Sequence, residues 1–108
     1  IGFFQGAVVS EAEGFDVGRY AEIIKGIMPT FAEFLQHEGK VIQSGNFSVS
    51  ESPLKISVLA TERILQHAQE KKIDTSYPSL LAGLLNKADK AGYADEELAA
   101  VVKILRRI

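Results

Sequence analysis

Few residues in this chain have the type and spacing that chemistry requires. His37 and His67 are its only histidines, and cysteine is absent. A helical metal site places a second ligand about one turn away, and neither histidine has one at the four-residue spacing, so no metal is expected. Glu11 and Glu13 stand two apart and diverge on a helix, unlike a pair that shares acid–base work. Ser10, Ser44, Ser48 and Ser50 lack the strand–turn–helix setting of a nucleophile elbow. No glycine-rich loop follows a strand, so no phosphate cradle is expected. Arg106 and Arg107 sit where a helix C-terminus favours cations. These patterns predict no catalytic residue, no cofactor-binding residue and no metal ligand in these 108 positions.

The elements that carry these residues read as helices throughout. The dominant stretch runs from Asp16 to Gly45. Tyr20, Ile24, Ile27, Met28, Phe31, Phe34, Leu35, Val41 and Ile42 recur every three or four positions along it. Pro29 interrupts that run, removing one amide hydrogen and crowding the preceding turn, so either a kinked helix or two helices meeting there is expected. Before it, residues 1–13 form a helix that Gly14 ends, and Asp16 caps the next. Gly2 and Gly6, four apart, are read as allowing close packing. The segment 47–52 is too short and serine-rich for a strand of consequence. Ser52 and Pro53 then open a third helix reaching about Lys72, with Leu54, Val58, Thr61, Leu65 and Ala68 on one stripe. Ser76 caps a fourth, apolar through Leu80, Leu81, Leu84, Leu85 and Ala88, which Gly92 ends. Asp95 caps the last, with Glu96 and Glu97 at its positive end.

Composition sets limits on function. The chain has room for one core but not for a nucleotide-binding sheet as well. Net charge is −2 with both signs mixed, so no nucleic-acid face is indicated. No apolar run approaches the ~20 residues of a membrane span. The lack of cysteine fits a reducing compartment, and the cytoplasm is the expected location. The chain starts Ile-Gly-Phe-Phe and reads as a piece of a longer polypeptide. Phe3, Phe4, Phe31, Phe34, Tyr77 and the leucines of the fourth helix exceed what one small core needs. Burial against a second copy or another domain accounts for the excess.

The order of these segments resembles the C-terminal domain of imine reductases and reductive aminases. The resemblance rests on Phe3-Phe4-Gln5-Gly6, the run from Tyr20 to Pro29, Phe31-Ala32-Glu33-Phe34-Leu35, Ile73-Asp74-Thr75 with Pro78 and Leu81, and Val102 to Arg106. It covers essentially the whole chain. It implies an all-α domain of five to six helices, of the 6-phosphogluconate dehydrogenase C-terminal type, kinked at Pro29. It also implies a parent protein with an N-terminal Rossmann domain for NADPH, and a homodimer whose subunits exchange helical domains. The implied reaction is hydride transfer from NADPH to an iminium carbon in a largely apolar cleft between subunits.

Residues carry over sparingly. The family's proton-donor position, an Asp or Tyr on the interdomain helix, would precede Ile1. Ile27 and Met28 match a position that in relatives often carries a large aromatic residue facing the imine. Ile56 and Ser57 match a pair that also lines the pocket. Met28 and Ile56 lie on apolar stripes, so a plain core role is the alternative. The lysine motif of the 3-hydroxyisobutyrate-type dehydrogenases has no secure match, and Lys55 does not supply it, which favours an imine over a hydroxyacid. The other reading is a helical dimerisation or interaction module with no catalytic parent. A strand and G-x-G-x-x-G upstream would decide for the reductase.

Overall fold

The computed structural model describes residues 1–106. Arg107, paired above with Arg106, lies outside the described residues. The described residues are helical with no strand: α1 Gly2–Ala12, α2 Val17–Ser44, α3 Leu54–Glu70, α4 Ser76–Lys90, a 3₁₀ turn Leu98–Val101, and α5 Val102–Leu105. None of the helices is long and apolar enough to cross a membrane.

Local sequence explains most boundaries. The Asp16 carboxylate accepts the Arg19 amide at 3.1 Å and so caps α2. Gly14, Gly45 and Gly92 all adopt positive φ just past a helix end, where a side chain would be strained. Two other expected caps shift by one residue: α3 starts after Pro53 and α4 after Thr75, without side-chain caps from Ser52 or Ser76. Helix α2 is unbroken across Pro29, so of the two alternatives the pair of helices meeting there is not found.

The last helix departs most from expectation. Asp95 does not cap it but pairs with Lys55 at 2.9 Å. Glu97 is the residue preceding the 3₁₀ turn, and the α-helical part lasts only from Val102 to Leu105. The segment 94–98 is held instead by backbone bonds to the connection between α2 and α3 and to the first turn of α3. Leu54 N–H donates to Glu96 O at 2.8 Å, Lys55 N–H to Ala94 O at 3.0 Å, Glu97 N–H to Phe47 O at 2.8 Å and Leu98 N–H to Ser52 O at 2.8 Å.

The core sits at one end. Val41, Phe47, Leu54, Val58, Leu85, Ala88, Ala99 and Ala100 form it, where the last turns of α2 meet α3, α4 and the 3₁₀ turn. Helix α1 packs instead on the first turns of α2. The Phe3 and Tyr20 rings stack at 5.2 Å, and the Tyr20 hydroxyl donates to Phe3 O at 2.9 Å. A Cβ on Gly6 would collide with the Tyr20 phenol, and one on Gly2 would stand 3.0 Å from the Tyr77 hydroxyl. Close packing of tyrosines is therefore what these two glycines allow.

Candidate functional site

Between its two packed ends, α2 presents a bare apolar face. The 3.6-residue period puts Ile23, Ile27, Phe31 and Leu35 on one side, and all four are exposed. No helix among the described residues covers them. Gly26, Ile27, Thr30, Phe31 and Phe34 line a concavity of about 350 Å³ there, with the Phe31 and Phe34 rings stacked at 6.3 Å. Ile27 is 51% exposed and Met28 46%.

The other expected pair lies near the start of α3. Ile56 is 54% exposed, so neither it nor Met28 is a core residue of this chain. Ser57 is half-buried and its carbonyl accepts the Thr61 hydroxyl at 3.0 Å. The chain does not assemble the four residues into one enclosed pocket. Helix α2 packs chiefly on α1 and the 3₁₀ turn, and α3 chiefly on α4.

A second cluster was not legible as a site in the sequence. Glu97 is fully buried, and its Oε1 accepts the amides of Ser50, Glu51 and Ser52, each at 2.9 Å. Glu38 is 8% exposed and its Oε1 accepts the Ala99 amide at 3.1 Å, while its buried Oε2 has no hydrogen-bond partner as a carboxylate. His37 Nε2 lies 3.7 Å from that oxygen and 2.8 Å from Ser50 Oγ. Burial first, then the hydrogen bond and charge of Glu97, push the Glu38 carboxyl up to about 7, against smaller opposing effects of the Ala99 amide and His37. Burial acts upward on Glu97 too, yet the amides of residues 50–52 and the bond to Glu38 outweigh it and bring Glu97 down to about 2. The available signal was Glu38 itself, a carboxylate on the stripe that Phe34, Val41 and Ile42 define.

The remaining candidates play local parts. His67 Nε2 meets Glu13 at 2.7 Å and Lys71 reaches the same carboxylate at 3.4 Å; the bond to His67 and the Lys71 charge lower the Glu13 pKa. Ser10 donates to Gly6 O at 2.9 Å. Gly14, Gly45 and Gly92, the positive-φ glycines, all close helix C-termini.

The helices thus define a domain class, an all-α bundle built around one long helix with an uncovered apolar face. The family "NADPH-dependent reductive aminase-like, C-terminal domain" matches residues 1–107, and the chain belongs to that family. Its fold is similar to that of an imine reductase from Myxococcus stipitatus in complex with NADP+, with TM-score 0.91 and 19% identity over 97% of this chain and 39% of that one. It is similar to a reductive aminase from Aspergillus terreus in complex with NADPH4, cyclohexanone and allyl amine, with TM-score 0.89 and 17% identity over 97% of this chain and 37% of that one. An imine reductase from Bacillus cereus matches with TM-score 0.90 and 15% identity over 99% of this chain and 37% of that one. The chain therefore spans about two-fifths of the length of these proteins. No curated protein matches the sequence closely enough to count as a relative.

Proposed function

We propose that this chain is the helical C-terminal domain of an NADPH-dependent imine reductase or reductive aminase-like oxidoreductase. In that role it pairs with a second copy and walls the substrate pocket with Ile27, Met28, Ile56 and Ser57. The observation that carries the reading is the uncovered apolar face of α2 in a chain of this family. A contiguous exposed apolar face of this kind marks a surface for a partner or a ligand. An apolar wall suits an organic imine better than a phosphorylated sugar acid, which would call for an arginine cluster. The Aspergillus terreus relative was captured with a ketone and an amine, which condense to an imine. NADPH supplies hydride in such a reaction, and its binding falls to residues outside this chain. The chain's own part is to exclude water and to set the shape of the cleft. The cytoplasm is the expected location.

The test is NADPH oxidation by the full-length protein offered a cyclic imine, with a 3-hydroxyacid and NADP+ as the contrast. Imine-dependent loss of NADPH absorbance is expected. Hydroxyacid oxidation without imine reduction would replace the reading with a dehydrogenase. The 108-residue chain alone should bind no NADPH at micromolar concentration, and calorimetric binding there would overturn the division of labour between domains.

A further inference from the structure

The carboxyls of Glu38 and Glu97 face each other at the junction of α2, the 45–53 connection and the 3₁₀ turn. Their nearest oxygens and His37 Nε2 all lie within 4.8 Å of one another. As two carboxylates they would offer only acceptors, leaving Glu38 Oε2 buried without a donor. A buried orphan acceptor beside a second negative charge is costly, and a group so placed takes up a proton instead. We propose that Glu38 is held as the neutral acid in the folded protein and donates from Oε2 to the Glu97 carboxylate. One proton shared by two buried carboxyls thereby latches the end of α2 to the connection that leads into α3.

The two partners are unequal for a structural reason. Glu97 is fixed as the anion because three consecutive amides, at Ser50, Glu51 and Ser52, already point at it. Glu38 receives one amide, from Ala99, and so takes the proton. Other charges near the junction are engaged elsewhere. Glu96 turns to Lys103 at 2.8 Å, and Asp95 turns to Lys55 at 2.9 Å. Among the described residues, His37 on α2 is the other titratable group facing Glu38.

A divalent cation would use the same three side chains, but the geometry favours the proton. Bonds of ~2.0–2.2 Å from a tetrahedral ion bring its ligands to within roughly 3.5 Å of one another. His37 Nε2 stands 3.7 Å from Glu38 Oε2 and is already bonded to Ser50 Oγ at 2.8 Å.

The consequence is a latch that weakens as pH rises. An acid whose pKa is higher folded than unfolded binds its proton more tightly in the native state, so stability falls as pH climbs between the two values. For Glu38 that window runs from the ordinary 4.5 to about 7. Glu97 gives the opposite limb, with stability present above 4.5 and lost as pH falls toward about 2. Leu54 and Lys55 are bonded to residues 96 and 94, so loosening the junction frees the first turn of α3, next to Ile56 and Ser57. The inference does not depend on which substrate the parent protein takes.

Urea unfolding of the full-length protein from pH 5 to pH 8 tests this. Relative to Glu38→Gln, whose amide keeps a donor at every pH, the wild-type folding constant should fall tens-fold, on the order of 50-fold. His37→Gln should retain that fall. A ratio independent of pH, or a fall that disappears in His37→Gln instead, would overturn the latch. Should Glu38→Gln not fold, ¹³C titration of the wild-type glutamate carboxyls decides directly. One carboxyl titrating near 7 is expected, and none above 5.5 would refute the shared proton. Stabilisation of the wild type by zinc or manganese that EDTA reverses and Glu38→Gln lacks would assign the site to a cation instead.

Discussion

A carboxylate with three backbone amides aimed at it behaves differently from one facing water, even when both precede a helix. In the sequence Glu96 and Glu97 look alike, two acids placed to offset a helix dipole. In the structure Glu96 pairs with Lys103 on the partly exposed side, and Glu97 is sealed inside. What separates them is the connection 50–52, which lies 45–47 positions earlier in the chain and has no local signature. Truncating Glu97→Ala removes the acceptor for three amides and strips Glu38 of its partner. That change should cost about 3–5 kcal/mol in urea unfolding, since bonds to a charged acceptor contribute about 1.5–3 kcal/mol each and part of the loss is made up by water. Glu96→Ala should cost under about 1 kcal/mol, as partly exposed pairs do. Comparable losses for the two variants would show that the amide nest is not what holds the junction.

For whole elements, legibility follows the range of the interaction that sets each boundary. The Asp16 cap acts three residues away, so the sequence displays it. The Asp95 cap failed because residues 94–98 are held by backbone bonds to residues 47–55, distant in the chain, so the helical turn starts only at Leu98. The α3 stripe was readable from its period, with Leu54, Val58, Thr61 and Ala68 buried as expected. On α4 the buried face is turned, through Pro78, Ala82, Leu85 and Ala88, and Leu80 is exposed. Leucine content cannot fix which side of an apolar helix meets α3; the crossing does. Two substitutions test the α1–α2 pair. Gly6→Ala should destabilise by about 1–3 kcal/mol, since the methyl strikes the Tyr20 phenol and outweighs a helix-propensity gain of at most ~1 kcal/mol. In a Tyr20→Ala background the same change should become neutral or stabilising. Additive losses in the double mutant would dissociate the glycine from the ring. Pro29→Ala should raise stability by about 1–3 kcal/mol, because α2 continues through an exposed proline that interrupts its ladder. A lower melting temperature would mean that the proline relieves some other constraint.

At the scale of the molecule, a radius of gyration of 15.2 Å exceeds the ~13 Å of a compact domain this size, and the extents are 42 × 30 × 22 Å. The elongation comes from α2, whose middle stands clear of the core. The apolar stripe of Ile27, Phe31 and Leu35 was legible in the sequence from its period, but its exposure was not, because that depends on where the other helices pack. The proposed pocket wall meets its test here. Met28→Ala and Ile56→Ala should each cost about 1 kcal/mol or less in thermal unfolding, since both side chains are half exposed. The same variants should shift preference among a panel of imines by ~1–3 kcal/mol in kcat/KM ratios. A large stability loss with an unchanged substrate ranking would return both to a structural role. The off-centre core has a further consequence, in the time domain. Amides of α3, α4 and the last turns of α2 should exchange with deuterium only through global unfolding. Those of α1 and the first half of α2 lie outside that core, held by the Phe3–Tyr20 stack, one phenol bond and the exposed contacts of Glu13 with His67 and Lys71, and should open far more often in the isolated chain. Exchange would thus divide one continuous helix into a slow half and a fast half, the boundary falling where the apolar face loses its cover.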